Sequence, residues 1–290
     1  MGAIFQSLSA LFQASGVGAS ITVPAPAGLV VGEFMVAICS VFGTTAATIT
    51  VPAGWTKVRE DSFVGFPTGA IATKKAILAD IGANFLFSQN LGGSEAWTVG
   101  IHRFSDALAL DASIPTIVGG SSQDISLGTV VTIADNCLIL RTVQAVFATT
   151  EPTSIIDPGT GGDNDHTRRG FVGGPNDPGV ANPFAVYYTD DIIKTPAGND
   201  PQPIPKGTYV GATGAKTTIH YAWSVSPIVD FQSIEEAEAR AREKQEDGTW
   251  VVAHSEQTNL GAPAVRAQRF MSPTDPGAGE WVELTDASAV

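Results

Sequence analysis

Residues 49–58 constrain the fold more than any other stretch of this chain. Pro52 fixes its own φ and disfavours a helical Val51, and Gly54 tolerates a positive φ, so the segment predicts a tight turn. Apolar and polar residues alternate on either side of the turn, a pattern typical of strands with one buried face. We therefore expect a proline corner between two strands, with Trp55 seated in the core of a β-sandwich.

The rest of the chain also favours strands over helices. Its 31 glycines and 18 prolines interrupt the sequence too often for long helices. The apolar run Phe34–Phe42 predicts a central strand buried on both faces, and Ser20–Pro24, Ala70–Ile77 and Ala96–Ile101 predict further strands. Residues 3–12 fit a helix and a strand about equally. The fold class that follows is all-β, an antiparallel sandwich of the jelly-roll type.

The order of strands recurs in the second half, which predicts an internal duplication. Asp124–Leu127 corresponds to Ser20–Val23, Asn136–Leu140 to the strand of Cys39, and Ala222–Val225 to Ala96–Val99. Asp157–Thr160 takes the place of the proline corner but lacks its tryptophan. Two similar half-sandwiches would then share one core. The alternative is that any two runs of strands look alike under a period-2 rule.

A change in composition near residue 230 predicts a boundary between a sandwich at 1–230 and an extension at 231–290. Charged residues make up 16 of the last 60 positions and 29 of the first 230. Ser233 and Glu236 form a capping box that predicts a helix over 233–247. This helix is either a solvated spacer or a packing surface for a neighbouring chain. Short strands are expected after it at Thr249–Ala253, which contains Trp250, and at Glu280–Leu284, which contains Trp281.

The charge of the chain narrows the range of partners. A formal net charge of −13 disfavours a nucleic-acid surface, which needs clustered Lys and Arg. No apolar run reaches the length of a membrane span, and the N-terminus lacks the basic flank of a signal peptide. We expect neither nucleic acid nor membrane as a partner, and synthesis in a cytoplasm. Cys39 and Cys137 lie in separate apolar runs, which indicates buried thiols, with a disulfide left open.

Patterns that resemble active-site motifs do not satisfy the requirements of those motifs. Residues 211–217 lack the spacing of a phosphate-binding loop, and the four histidines are scattered. Asp163 and Asp165 are the densest group of oxygen ligands, but Arg168 and Gly174 stand where a calcium loop needs Gly and Glu. We therefore expect no catalytic residues, no metal and no cofactor.

The segment from Thr149 to Gly207 is rich in Gly, Pro, Asn and Asp, which predicts long loops of the kind that often carry function. The aromatic and arginine side chains within it are candidates for a protein interface or a sugar platform, with structural filler as the alternative. These candidate binding residues are Arg168, Arg169, Phe171, Tyr187 and Tyr188. The expected core tryptophans are Trp55, Trp97 and Trp223.

A set of short motifs resembles a known group of proteins. Ser-Ile-Thr-Val-Pro at 20–24, Gly32-Glu33 before Met35-Val36-Ala37, Pro-Ala-Gly-Trp-Thr at 52–56, and Trp97 before Phe104 are similar to β-sandwich virion proteins of tailed bacteriophages and prophages. The resemblance covers roughly residues 20–229 and brings no catalytic residues with it.

The resemblance implies a non-enzymatic structural component of a virion, assembled in the host bacterial cytoplasm. It would be peripheral and present in many copies, as a capsid decoration or a tail-tip or fibre protein. Its partners would be other copies of itself and other virion proteins. The alternative from a different class is a carbohydrate-binding module, a receptor-binding adhesin that contacts a host surface glycan through Arg169, Tyr187 and Tyr188.

Overall fold

The computed structural model of this chain divides it into two compact units, Met1–Ile228 and Val229–Val290. The described residues are 3–13, 18–42, 46–62, 66–92, 95–120, 124–125, 129–147, 154–156, 166–173, 182–194, 207–210, 216–228, 251–257, 263–269 and 280–284. Within them most residues lie in β-strands, and the one helical element is a 3₁₀ turn, Leu78–Asp80. This confirms the all-β prediction. The expected helix 233–247 lies outside the described residues.

The first unit contains sixteen strands among its described residues. Those of the first half are β1 (Ile4–Gln13), β2 (Ser20–Pro24), β3 (Phe34–Phe42), β4 (Ile49–Thr50), β5 (Thr56–Asp61), β6 (Thr68–Lys75), β7 (Asn84–Gln89) and β8 (Ala96–Ser105). Those of the second half are β9 (Ala107–Gly120), β10 (Asp124–Ile125), β11 (Cys137–Phe147), β12 (Ser154–Ile156), β13 (His166–Gly173), β14 (Asn182–Lys194), β15 (Gly207–Val210) and β16 (Lys216–Pro227). Residues 3–12, which fitted a helix and a strand equally, belong to strand β1.

Each half is a jelly roll, and the two have the same topology. In the first roll, β1 pairs with β8, β2 with β7 and β3 with β6, all antiparallel, which is the nested first-to-last pairing of that fold. In the second roll, β9 pairs with β16, β10 with β15 and β11 with β14 in the same way. The sheet orders β1-β8-β3-β6-β5 and β2-β7-β4 recur as β9-β16-β11-β14-β13 and β10-β15-β12. The predicted duplication is therefore present, strand for strand.

The four sheets stack face to face, with the two five-stranded sheets in the middle. This is why β3 is buried at all nine positions, since alternate side chains enter two different cores. In each roll a core lies between its large and small sheets, with Met35, Cys39 and Phe87 among its members in the first roll and Val143, Tyr188 and Tyr209 in the second. A third core joins the large sheets and includes Ile38, Phe104, Leu140 and Trp223.

Contacts between the large sheets follow an approximate twofold axis along the strands. Strand β3 faces its own counterpart β11, where the Ser40 hydroxyl donates to the Gln144 side chain. Strand β8 faces β14, and a methyl group added at Gly100 would lie 2.6 Å from the Tyr187 hydroxyl. The equivalent contact, between β6 and β16, is also present, since a methyl group at Gly69 would overlap the side chain of Tyr221. The two rolls thus pack as the subunits of an isologous dimer do.

The proline corner has the predicted form. The Trp55 amide donates to the Pro52 carbonyl at 3.1 Å and Gly54 has a φ of +79°, so residues 52–55 form a hydrogen-bonded turn with left-handed Gly54 at its third position. The Trp55 side chain is 7% exposed and packs edge-on against Phe85, with ring centroids 5.2 Å apart. The corner therefore anchors the small sheet of the first roll to its large sheet.

The residue-level alignment of the two halves needs a correction. Trp97 and Trp223 lie on counterpart strands and both are fully buried, as expected for core residues. However, Trp97 faces the small sheet of the first roll, whereas Trp223 faces the opposite roll and contacts Phe104. Because alternate strand residues point to opposite faces, the similar tetrapeptides around these tryptophans are offset by an odd number of positions.

The second unit contains a small antiparallel sheet. Its strands β17 (Val251–Gln257), β18 (Pro263–Arg269) and β19 (Glu280–Leu284) pair in the order β17-β18-β19. Strand β19 has the bounds expected from the sequence, and β17 overlaps the other predicted strand. The corner-like segment Asp157–Thr160 and the ligand-rich loop with Asp163 and Asp165 lie outside the described residues.

Candidate interaction surfaces

The five candidate binding residues do not form one surface. Arg168, Arg169 and Phe171 lie on edge strand β13, where both arginines are exposed and Phe171 is 59% exposed. Tyr187 and Tyr188 lie on the neighbouring strand β14 and are 0% and 1% exposed. The expectation that both tyrosines sit on a loop and contact a partner is wrong, because they are adjacent strand residues that enter two different cores.

The side chains of Tyr187 and Tyr188 are packed in hydrophobic cores. Tyr187 points into the core between the rolls, with its ring centroid 5.2 Å from that of His102. Burial raises the pKa of its hydroxyl above the ordinary value, so the group stays protonated. Tyr188 points the other way, into the core of the second roll with Val143 and Tyr209. Neither hydroxyl is available to a sugar at the surface.

The arginines of β13 contact aromatic rings. The Arg168 guanidinium lies 5.7 Å from the ring centroid of Phe171, and that of Arg169 lies 5.1 Å from that of Phe5 on β1. Arg169 Nε also donates to the Thr189 hydroxyl at 2.5 Å. Arg169 therefore helps to join the first roll to the second, while Arg168 and Phe171 form a small exposed cation–aromatic pair.

The imidazole of His102 is packed among aromatic rings in the interior. His102 lies where the two rolls meet, and its side chain is 1% exposed. The centroid of its imidazole ring is 5.2 Å from that of Tyr187 and 4.9 Å from that of Trp223. Burial lowers the pKa of His102 to about 3, so the imidazole is neutral.

Both cysteines are free, and neither thiol is activated. Cys39 is buried in the first core, and burial raises the pKa of its thiol well above the ordinary range. Burial, with a smaller contribution from Asp111, raises the pKa of Cys137 to about 12. Thiolate is the reactive form of cysteine, so both side chains are inert at neutral pH. Among the described residues there is no group of three or more His, Cys, Asp or Glu side chains placed to hold a metal ion.

The largest concentration of exposed aliphatic side chains lies at one end of the first roll. Two loops, 25–33 and 76–83, run side by side there, since the Gly32 amide donates to the Ala76 carbonyl at 2.8 Å and the Ala25 amide to the Ala83 carbonyl at 2.8 Å. We call the exposed side chains on these loops the apolar end. Its members and their exposed fractions are Leu78 (77%), Val30 (57%), Val31 (55%), Ile77 (54%) and Ile81 (45%).

The apolar end carries little net charge. The only charged residues in its two loops are Glu33 and Asp80. Glu33 forms an ion pair with Arg103 at 3.0 Å, and Asp80 forms one with Lys74 at 2.6 Å; all four side chains are at most 11% exposed. The nearest exposed charge along the chain is Lys75, at the end of β6. Aliphatic groups rather than charges therefore define this surface.

The second roll contributes to the same end of the unit. Phe104 pairs with Phe34, the first residue of β3, and Trp223 pairs with Leu140, near the start of β11. Because the rings of Phe104 and Trp223 contact each other, the starts of β3 and β11 lie together and the two strands run in the same direction. The loops leading into both strands therefore lie at one end. In the second roll this loop exposes Val131 (49%) and Ile133 (77%).

Sequence reasoning missed the apolar end because its residues belong to no periodic pattern. Ile77, Leu78 and Ile81 follow a strand and precede Gly82, in a segment that local rules assign to a turn. Aliphatic residues in a turn, where polar ones are usual, were the signal that could have found it.

Comparisons with known proteins return no relative for this chain. No protein-family model, no curated protein and no solved structure matches it. In the described part of the chain there is also no helix long and apolar enough to cross a membrane.

Proposed function

We propose that this chain is a non-enzymatic structural component of a bacteriophage virion, peripheral and present in many copies, as a capsid decoration or a tail-tip or fibre protein that associates with itself. The observation that carries the proposal is the apolar end, which presents five large aliphatic side chains on two ordered loops. Surfaces of that kind on a soluble protein mark sites of association.

Two further features support this proposal. Jelly rolls are used repeatedly in viral capsid proteins, an argument by analogy of fold. The motifs that resemble those of phage virion proteins also have a structural role here, because their tryptophans Trp55 and Trp97 both pack in the core of the first roll. Neither buried cysteine offers a reactive thiolate, because burial raises the pKa of both thiols above the ordinary value.

The test is localisation on particles. Antibody raised against the purified chain, applied to phage particles from a lysogen that carries its gene, should label a fixed position on the head or tail in electron micrographs. Particles from a lysogen deleted for the gene provide the control. Particles that lack the chain by both labelling and mass spectrometry would contradict the proposal.

The second candidate is a carbohydrate-binding module. The observation in its favour is the Arg168–Phe171 pair, an exposed ring beside a guanidinium, the kind of aromatic surface on which sugars stack. A glycan array separates the two candidates. A signal abolished by Phe171→Ala and retained by Leu86→Ala would favour the module, and a blank array favours the scaffold.

A further inference from the structure

We infer that the small sheet of the second roll opens locally, while the rest of the first unit stays folded, and uncovers an interior face that carries Arg141 and His220. We call this sheet of β10, β15 and β12 the second small sheet, and its counterpart of β2, β7 and β4 the first small sheet. The inference goes beyond the proposed function and does not depend on it.

The two rolls can be compared position by position, because the counterpart strands β3 and β11 face each other. Ser40 of β3 donates to the Gln144 side chain of β11, so these two residues occupy equivalent positions. Three positions earlier, β3 has Ala37 and β11 has Arg141. Since alternate strand residues point to opposite faces, both of these side chains enter the core of their own roll, where Ala37 is 0% and Arg141 1% exposed.

A second difference of the same kind lies on the neighbouring strand. His220 pairs with Val143 on the inner face of the second roll, whereas Val99 pairs with Cys39 at the equivalent place in the first. Arg141 and His220 both interact with other groups of the chain. Even so, a buried and paired arginine, which keeps its charge, is often no more stabilising than an apolar side chain of similar volume. The core of the second roll therefore closes less favourably than that of the first.

The tryptophans are distributed just as unevenly. The core of the first roll contains Trp55 and Trp97, and Trp55 packs against Phe85 of the first small sheet. Residues 107–228 contain one tryptophan, Trp223, and it faces the first roll. Large aromatic side chains dominate the energetics of a core. The second small sheet is thus closed without the indole anchor that the first one has.

The second small sheet is also shorter than the first. Its strands β10, β15 and β12 contain 2, 4 and 3 residues, whereas β2, β7 and β4 contain 5, 6 and 2. Its longest ladder has three paired positions, against five between β2 and β7. The largest ring it places in the core is that of Tyr209, 5.2 Å from the Phe147 centroid. Fewer backbone hydrogen bonds and fewer ring contacts must therefore break for it to open.

The large sheet beneath it is held from its other side. Leu140, Ile219 and Trp223 of that sheet lie in the core between the rolls. This core is unaffected when the second small sheet opens, so only the contacts on one face of the large sheet are lost. Proteins open in cooperative units of this kind at free energies below that of global unfolding.

The experiment is hydrogen exchange of the full chain, followed by mass spectrometry of peptides under conditions where exchange reports the opening equilibrium. Peptides containing β15 report on the second small sheet, and peptides containing β7 are the matched control within the same molecule. We expect the β15 amides to be protected at least about tenfold less than those of β7. The amides of β11 should remain protected as strongly as those of β3.

Urea distinguishes local opening from global unfolding. The dependence of an opening reaction on urea scales with the surface that it exposes. Exchange of β15 should therefore change little with urea below the unfolding transition, while exchange of β11 should rise steeply.

Two variants test whether the small sheets open separately. Ile125→Ala shortens a fully buried side chain of β10 and should speed exchange of β15 by about tenfold or more, with β7 within about threefold of wild type. Trp55→Phe keeps an aromatic ring in the first roll and should speed exchange of β7 by about tenfold, with β15 within about threefold. Circular dichroism establishes that each variant is folded.

Three results would overturn the inference. These are equal protection of β7 and β15, a urea dependence of β15 as steep as that of β11, and a Trp55→Phe variant in which β15 is accelerated as much as β7. Any of them would mean that the two rolls open as one unit.

Discussion

The Gln144 side chain of the second roll donates from Nε2 to the Thr98 hydroxyl of the first roll at 2.9 Å, in the middle of the contact between the two large sheets. Its Oε1 accepts a hydrogen bond from Ser40. Gln144, Thr98 and Ser40 are all fully buried, so one side chain satisfies polar groups on two strands of the opposite roll.

Replacing Gln144 with Leu should therefore lower the free energy of unfolding by about 2–4 kcal/mol, because it leaves two buried hydroxyl groups without their partner. Urea unfolding followed by circular dichroism measures the change. Gln6→Ala is the matched control, since the exposed Gln6 side chain bonds only to Ser105 and its removal should cost less than about 0.5 kcal/mol. Equal losses in both variants would show that the bridge between the rolls adds nothing.

Gly100→Ala should destabilise the chain by about 1–3 kcal/mol, the usual cost of adding a methylene to a packed core. The added methyl group would overlap the Tyr187 ring across the contact between the rolls. A double-mutant cycle provides the control: in a Tyr187→Ala background the overlap disappears, so the further cost of Gly100→Ala should fall to near zero. Additive losses would argue against this contact.

Trp55→Ala should cost about 3–5 kcal/mol, because it empties the space beneath the proline corner beside Phe85. Gly54→Ala tests the turn separately and should cost only about 1–2 kcal/mol, the strain of placing an L-residue at a φ of +79°. Thermal unfolding of the two variants should rank them in that order. The reverse order would mean that the turn, not the indole, stabilises the corner.

The stability of the chain should fall as the pH drops from about 6.5 towards about 3. Burial lowers the pKa of His102 in the folded state to about 3, whereas an unfolded histidine titrates near 6.5. Between these values only the unfolded chain binds the proton. The free energy of unfolding therefore loses up to about 1.4 kcal/mol for each pH unit from this group, and the loss is absent above pH 7.

The measurement is urea unfolding from pH 8 to pH 4 for wild type and His102→Asn. Asparagine does not titrate, so the variant should be less stable at pH 8 but show a shallower decline towards acid. Parallel curves for the two proteins would show that His102 is not the group responsible.

The sequence was enough to predict the layers but not the way they stack. Gly54 and Trp55 encode their corner locally, and the continuous apolar run of β3 indicated a strand buried on both faces. The topology of the second roll followed from strand order alone. Local patterns could not predict which face of a strand enters which core. Nothing in the sequence near Trp97 or Trp223 distinguishes the core within a roll from the core between the rolls.

The binding residues were harder to predict for a similar reason. Tyr187 and Tyr188 lie between segments rich in Gly, Pro and Asp, so composition placed them on a loop, whereas long-range pairing with β11 and β13 draws them into a sheet. Leu78 is the converse case, a residue whose hydrophobicity suggests burial but whose hydrogen-bonded turn leaves it exposed. For the tyrosines tertiary pairing outweighed local preference, whereas for Leu78 the local turn outweighed hydrophobicity.

At two contacts between the rolls that the approximate twofold axis relates, β8 with β14 and β6 with β16, the glycine lies on the first roll both times, whereas Gly170 of the second roll faces Leu8 of the first. Such asymmetry is possible because the rolls are joined in one polypeptide. Gly100 and Gly69 of the first roll leave the space that Tyr187 and Tyr221 of the second roll fill. Two identical rolls would have to carry both the hollow and the ring at equivalent places. Two rolls joined in one chain need not be identical, so each half can complement the surface of the other. A second copy of one half could not replace the other half.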